Sequence, residues 1–287
     1  MKRKTFYAFT GPSIILMVTL MIIPLIMAVW LGLHYVTYRN MNAPEFVGLE
    51  NYRAILADPR FWQSLRFTLL IIVIVTPAEM VLGFFIALLL DQTDTRIRGI
   101  FISLLLTTYV TVPVVSGLIF RQFFEPNGLG VWIIEQVLGS RFVLTSTTVK
   151  TMIMLYGIWR DTPFCIIVLF AGLQTLSMEQ LEAAQIDGAS RWQQLRYITL
   201  AHLKPLLILI AMIVIMDKYR IFDAILVLTN MNPIYGADTL MLYNWRIAVE
   251  VQRLGKANAM SVLTVIGIMV VLVPFLYRTY GAQREER

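Results

Sequence analysis

The chain has 287 residues, of which 58% are hydrophobic and 15% are charged, and its formal net charge is +6. Soluble domains carry about 25% charged residues, so this composition excludes an ordinary soluble protein and indicates an integral membrane protein. No basic run with interleaved aromatic residues suggests nucleic acid, whereas a positive charge suits contact with anionic membrane lipid. One cysteine, Cys165, and two distant histidines, His34 and His202, argue against an intrachain disulfide and a metal site.

Six apolar segments are long enough to cross a bilayer, which takes about 20 residues of helix. Helices are required because hydrocarbon offers no partner for a free backbone polar group. We therefore predict an all-α integral membrane protein with six transmembrane helices. The segments cover residues 7–33, 66–90, 99–120, 150–173, 205–228 and 257–279.

The six spans divide the chain into three predicted parts. Residues 1–65 hold the first helix and an outer loop, residues 66–279 hold the five-helix core, and residues 280–287 form a short tail. The first apolar run is too long for a signal peptide, so we predict a retained span. Lysine and arginine divide almost evenly between the two sides, but Lys2, Arg3 and Lys4 directly precede the first span. Basic residues favour the cytoplasm, so we predict that both termini are cytosolic.

Ionisable residues lie inside several apolar segments, where a charge costs about 2.5–3.5 kcal/mol. At 1.5 Å per residue, Glu79, Arg160 and Asp217 lie roughly 18–20 Å from the predicted cytosolic ends of their helices. Two interpretations stay open: pairing within the protein, as in the i,i+3 pairs that Arg220 can form with Asp217 and Asp223, or the lining of a translocation path. The candidates for such a path are Glu79, Trp159, Arg160, Asp161, Asp217, Tyr219 and Asp223.

A polar insert, "SMEQLEAAQIDGASRWQQLRYITLAHLKP", interrupts the apolar pattern at residues 177–205. Ser177 and Gln180 have the spacing of a capping box, which predicts a helix from about Met178 to Gln185. Asp187-Gly188 predicts a break.

A second short helix is expected after Ser190, with Pro205 opening the next span. The first helix carries Glu179 and Glu182 without a basic residue, unlike helices that lie on anionic lipid. This charge favours a protein partner.

The stretch "EAAQIDGASRWQQLRYITL" resembles the EAA loop of permease subunits in binding-protein-dependent ABC importers. The proline that usually follows Leu200 is Ala201 here. Three other stretches are similar to carbohydrate permeases of the maltose and glycerol-phosphate type: "FVGLENYRAILADPRFWQSLRFTL", "YRIFDAILVLT" and "RLGKANAMSVL". Such permeases usually have a G-G-P turn after the fifth span, and residues 230–233 take its place here. The loop motif is matched at Glu182-Ala183-Ala184, Gly188, Ile198 and Leu200, extended by Asp187 and Ala189.

This resemblance implies a type I ABC importer permease fold in a bacterial inner membrane, with the insert as a cytosolic coupling helix. It implies four partners: a second permease subunit, a cytosolic ATPase dimer, an extracytoplasmic sugar-binding protein and membrane lipid. ATP and Mg²⁺ would bind the ATPase, and no cofactor would bind this chain. The implied coupling residues are Glu182, Ala183, Ala184, Asp187, Gly188 and Ala189.

The sequence independently contains no G-x-x-x-x-G-K-[ST] phosphate loop, so we expect a non-catalytic subunit whose energy comes from a partner. An ion- or proton-coupled secondary transporter is the alternative, with the intramembrane charges as a relay. A membrane enzyme is less well supported, since neither a nucleophile motif nor a metal-ligand cluster is present in the sequence.

Overall fold

A computed structural model of the protein describes residues 3–139 and 142–285. Residues 1–2 of the predicted N-terminal part, Arg141 of the predicted outer loop, and residues 286–287 of the predicted tail lie outside the described residues. The helices are α1 (Arg3–Gly32), α2 (Glu50–Leu56), α3 (Pro59–Asp91), α4 (Thr95–Val110), α5 (Pro113–Phe123), α6 (Leu129–Leu138), α7 (Ser146–Leu173), α8 (Met178–Ile186), α9 (Arg191–Gln194), α10 (Leu200–Tyr219), α11 (Asp223–Leu228), α12 (Leu240–Trp245) and α13 (Leu254–Glu285).

Three shorter helical turns and one hairpin complete the described structure. Residues Leu195–Thr199 and Arg246–Glu250 form π-helical turns, and Pro233–Tyr235 forms a 3₁₀ turn. Strands β1 (His34–Tyr35) and β2 (Glu45–Phe46) pair antiparallel. Apart from these and the connecting loops, the described chain is helical, as predicted.

Five helical segments of the described chain are long and apolar enough to cross a membrane, and a bent pair of helices makes a sixth. The five are residues 9–32, α3, α7, the continuous helix of residues 191–219, and residues 254–273. The bent pair is α4 with α5, which meet at 98°. The predicted all-α fold with six spans is confirmed in this form.

The predicted third span, residues 99–120, is two helices rather than one. Thr111 and Val112 have extended ψ angles of 132°, and Pro113 begins α5. Proline disfavours the helical conformation of the residue before it and is well tolerated at a first helical position. Pro113 therefore ends α4 and starts α5 in a new direction.

The predicted fifth span, residues 205–228, begins earlier and ends earlier than expected. Helix runs without a break from Arg191 through α10, so Pro205 lies inside it instead of opening it. Ala201 is a strong helix former, which allows the chain to continue where the family has a proline. Pro205 then removes only the hydrogen bond to the Ala201 carbonyl.

The chain divides into two compact units, one built from residues up to 63 with 240–270, and one from residues 64–239 with those after 270. In the first, the predicted outer loop is ordered around Asn51. Its side-chain amide donates to the carbonyls of Gly32 and His34, at 2.9 Å each. The Tyr243 hydroxyl donates to Asp58 Oδ2 at 2.7 Å. These polar contacts fix the loop on the end of α1, on β1 and on α12.

In the second unit, α3, α7 and α10 share an apolar core. A Cβ atom on Gly83 of α3 would lie 2.6 Å from the Cys165 Cβ of α7, so only glycine permits this close approach. Small residues allow membrane helices to pack closely in this way. Cys165 is fully buried, as expected for a small apolar core residue. The core contains Phe84, Ala87, Cys165, Leu169, Leu173, Leu203, Ile210 and Val214.

We expect Gly83→Ala to lower the thermal unfolding midpoint of the purified protein, because the added methyl group overlaps Cys165. Overpacking of this kind costs about 1–3 kcal/mol. Gly99→Ala is the matched control, since nothing lies within 4 Å of a Cβ atom there and alanine favours a helix. Equal midpoints for the two variants would contradict the close approach of α3 and α7.

We expect the contribution of Asp58 to stability to be lost in acid. Burial alone would raise the pKa of Asp58, but hydrogen bonds from Tyr243 and the Arg60 backbone, with Lys256 nearby, outweigh it and lower the pKa. Ionised Asp58 therefore adds its full contribution to the free energy of unfolding above the ordinary aspartate pKa of about 3.9, and this contribution falls at lower pH. The difference in unfolding midpoint between wild type and Asp58→Asn should shrink below pH ~4. Tyr243→Phe should move this loss to higher pH, and an unchanged profile in that variant would refute the assignment.

Candidate functional site

The second unit contains a buried ion network centred on Lys218 of α10. The Lys218 side chain is 2% exposed, and its Nζ atom lies 3.1 Å from Glu79 Oε2 on α3. The same Nζ atom donates to Asp161 Oδ2 on α7. One ammonium group therefore connects three membrane helices.

The network continues from Asp161 to Arg160. Asp161 Oδ1 accepts a hydrogen bond from the Arg160 guanidinium, which also lies 5.8 Å from the centre of the Tyr109 ring. Charges thus alternate along the string Glu79, Lys218, Asp161, Arg160. Removing one partner from a buried ion pair costs about 3–5 kcal/mol, so each member depends on its neighbours.

Glu79 ends this string in an unusual environment. Its side chain is fully buried, and neither carboxylate oxygen has a well-aligned hydrogen-bond partner among the described residues. The 3.1 Å contact with Lys218 is therefore an ion pair held by charge alone. A buried carboxylate is tolerable here because the ammonium lies against it.

A cavity of about 370 Å³ opens beside the network. Four predicted path residues line it: Arg160, Asp161, Asp217 and Asp223. The remaining lining includes Tyr109, Tyr156, Phe164, Lys218, Arg220 and Phe222. The cavity is thus lined by both charged and aromatic side chains, a combination that suits a small polar ligand with apolar faces.

The other three predicted path residues do not line this cavity. Glu79 lies behind Lys218, Tyr219 is buried, and Trp159 packs against Phe120 with 5.7 Å between ring centres. Tyr156 does reach the cavity, but its hydroxyl is fixed 2.8 Å from Ser116 Oγ.

The cavity wall also contains residues that the sequence did not single out as path residues. Lys218 had a visible signal, since it lies next to Asp217 within an apolar run. Tyr109, Phe164 and Phe222 had none, because aromatic residues are common in apolar helices.

The i,i+3 pairing predicted for Arg220 is made with Asp217, at 2.9 Å, and both side chains are exposed. Exposed pairs of this kind contribute about 0–1 kcal/mol. The alternative pair with Asp223 is not formed. Asp223 is exposed at the start of α11 and has no ion-pair partner in the described part of the chain.

Two broken helices border the cavity. α10 ends at Tyr219, and the irregular residues Ile221 and Phe222 line the cavity before α11 begins. Irregular backbone is tolerated at membrane depth where it lines a polar cavity. α11 packs on α5, with Gly117 facing Ala224. The Arg121 guanidinium donates to Asn230 Oδ1 at 2.9 Å and so closes the far end of this helix pair.

The predicted coupling loop begins with α8, whose C-terminus is a complete Schellman motif. Gly188 has a φ of +79°, its N–H donates to the Gln185 carbonyl at 3.0 Å, and the Ala189 N–H donates to the Ala184 carbonyl at 2.9 Å. Glycine at this position avoids the penalty that other residues incur there. The break predicted at Asp187-Gly188 is confirmed.

The N-terminus of α8 differs from the prediction. Ser177 occupies the N-cap position, but its side chain makes no capping hydrogen bond, so the predicted capping box with Gln180 is wrong. The spacing is that of a capping box and the Ser177 backbone is extended, as is usual at an N-cap, but the hydroxyl does not bond to an N–H group. The second helix, which was expected after Ser190, does have a capping box, between Ser190 and Gln193.

The six predicted coupling residues lie on an open surface. Glu182, Ala183, Asp187 and Gly188 are exposed, and Ala184 and Ala189 are half-buried. No residue of α8 is buried, and Ile186 is 87% exposed. Beside it lies a groove of about 300 Å³, lined by Asp187, Gly188, Ala189, Gln193, Gln194, Tyr197 and Ile198.

Known proteins align with this chain over nearly its whole length. No protein-family model matches it. The trehalose/maltose transport system permease protein MalF of Thermococcus litoralis is 30% identical, covering 96% of this chain and 93% of that protein. The inner membrane ABC transporter permease protein YcjO of Escherichia coli is 30% identical, covering 92% and 90% respectively.

The fold is also found among solved structures. A bacterial ABC transporter involved in the import of the acidic polysaccharide alginate contains a chain that matches with a TM-score of 0.79 at 18% identity, covering 96% of this chain and 95% of that one. With 30% identity to curated relatives over more than nine-tenths of its length and with the same fold, this chain belongs to the permease subunits of ABC transporters, multi-pass proteins of the inner membrane.

Proposed function

We propose that this permease imports a sugar or sugar derivative and that the cavity beside Lys218 is its part of the translocation path. The observation that carries the proposal is the cavity itself, which charged and aromatic side chains line between broken helices. Carboxylates and guanidinium groups hydrogen-bond hydroxyl groups, and aromatic rings pack on the apolar faces of sugars. The names of relatives agree, since they refer to trehalose, maltose and lactose transport.

The energy for import comes, in this proposal, from a separate cytosolic ATPase dimer that binds ATP and Mg²⁺. The exposed α8 surface and the groove beside it are the docking site. Glu182 supplies the negative charge of that surface. This orientation places both chain termini in the cytosol. A second permease subunit completes the path, and an extracytoplasmic sugar-binding protein delivers the sugar.

The coupling loop and the cavity are connected by one helix. It runs from Arg191 through α10 to Lys218, a distance of about 40 Å at 1.5 Å per residue. Movement of α8 by the ATPase would therefore displace the buried end of this helix together with its ion network. The α8 surface and the cavity would then both shift the equilibrium between the same two conformations of the assembly, which is the requirement for allosteric coupling.

We expect Glu182→Lys and Gly188→Pro each to weaken retention of the ATPase on the purified complex by about tenfold or more, the loss typical of an interface hot spot. The first reverses a charge on the exposed face, and the second is incompatible with a φ of +79°. Gly188→Asn is the matched control, because asparagine tolerates this conformation. If both disruptive variants keep ATPase association and uptake, the docking role is wrong.

We expect Asp217→Asn to reduce sugar uptake by the reconstituted importer while leaving assembly intact, because it frees Arg220 at the cavity wall. Glu125→Gln is the control, since it breaks a similar 2.9 Å pair, with Arg121, that does not line the cavity. Normal uptake and normal apparent sugar affinity in Asp217→Asn would remove this residue from the path.

A further inference from the structure

We propose that the cavity selects uncharged sugars over anionic ones, and that Glu79 sets this selectivity from behind the cavity wall. The inference rests on the proposed function, since it concerns the charge of the sugar that the cavity accepts. Arginine and lysine side chains at a cavity wall ordinarily favour uronates or sugar phosphates. In this protein the carboxylates around them reverse that preference.

Each basic group at the cavity already holds a carboxylate. Lys218 contacts Asp161 and Glu79, Arg160 contacts Asp161, and Arg220 contacts Asp217. An incoming anion would have to displace one of these partners. At Lys218 and Arg160 the displaced carboxylate would then be left unpaired in a largely buried place, which is strongly unfavourable. The exposed pair of Arg220 with Asp217 adds little to this barrier.

Asp223 adds a carboxylate that no basic group neutralises within the described residues. It lines the cavity and is exposed. The cavity and the layer directly behind it thus contain three basic side chains and four carboxylates: Arg160, Lys218 and Arg220 against Glu79, Asp161, Asp217 and Asp223. The excess of negative charge repels an anionic sugar and leaves Asp223 free to accept hydrogen bonds from neutral hydroxyl groups.

Glu79 determines this balance although it cannot touch a ligand. It is fully buried on α3, while the ammonium of Lys218 stands between it and the cavity wall. Neutralising Glu79 leaves Lys218 with Asp161 alone, and Asp161 is already shared with Arg160. The wall then has one more net positive charge, without a change in any residue that contacts the cavity.

The test is equilibrium binding of sugars to the assembled permease–ATPase complex in nanodiscs, without the soluble binding protein, so that only the membrane cavity selects. The probes are a panel of uncharged disaccharides (trehalose, maltose and lactose) and a disaccharide that contains a uronic acid. We expect the wild type to bind one uncharged probe about tenfold or more tighter than the uronate, a modest effect for one unit charge at short range. In Glu79→Gln this ratio should fall by about tenfold.

Two further variants distinguish selectivity from misfolding. Glu125→Gln removes a carboxylate outside the cavity and should keep the wild-type ratio. Combining Glu79→Gln with Lys218→Met removes the buried pair together, which restores the charge balance and should restore the ratio. A Glu79→Gln ratio equal to that of Glu125→Gln would overturn the inference, as would a wild-type preference for the uronate. Failure of every sugar to bind the wild type or to be transported by the complete importer would instead refute the proposed function.

Discussion

The buried ammonium of Lys218 is the constraint on which the second unit depends. A lysine with 2% exposure is stable only with carboxylates against it, and here they come from two other helices, at Glu79 on α3 and Asp161 on α7. These contacts fix the axial position of α10 relative to α3 and α7, because a slip of one residue would turn the side chain toward apolar neighbours. The close packing of Gly83 on Cys165 fixes the spacing of the same helices. Charge and shape therefore specify one arrangement.

The same constraint explains where the helices break. Irregular backbone is tolerated at membrane depth only where it is buried in protein or lines a polar cavity. α4 ends at Val110, before Pro113, and α10 ends at Tyr219. The two short helices that follow, α5 and α11, pack on each other. The irregular backbone between α10 and α11 lies at the cavity, beside the ion network. Both breaks thus border the cavity, which Pro113 lines together with Ile221 and Phe222.

Hydropathy was enough to predict the six spans and the intramembrane charges, because the cost of exposing polar groups to lipid acts on each segment separately. It could not predict that Lys218 connects Glu79 with Asp161, since that contact depends on how three helices are rotated. It also missed the break at Pro113, where the apolar pattern continues across the bend. Asp187-Gly188 was predictable because a turn with positive φ is a local property. The failed cap at Ser177 shows the limit of spacing alone, since Ser177 and Ser190 have the same spacing and a similarly extended backbone, yet only the Ser190 side chain accepts a capping hydrogen bond.

The replacement of a proline by Ala201 has a mechanical consequence. With proline at this position the helix would lose a hydrogen bond to the carbonyl four residues earlier, within the π-helical turn at Leu195–Thr199. With alanine the helix continues from Arg191 to Tyr219. π turns inside helices often occur at functional sites. The helix of residues 191–219 is therefore continuous, and its π turn is the point where the direction of its axis can change. In the proposed mechanism, a movement that begins at α8 would reach Lys218 through a single helix. It would first pass the hydrogen bond between His202 and Thr175, at 2.9 Å, and would then act on the ion network.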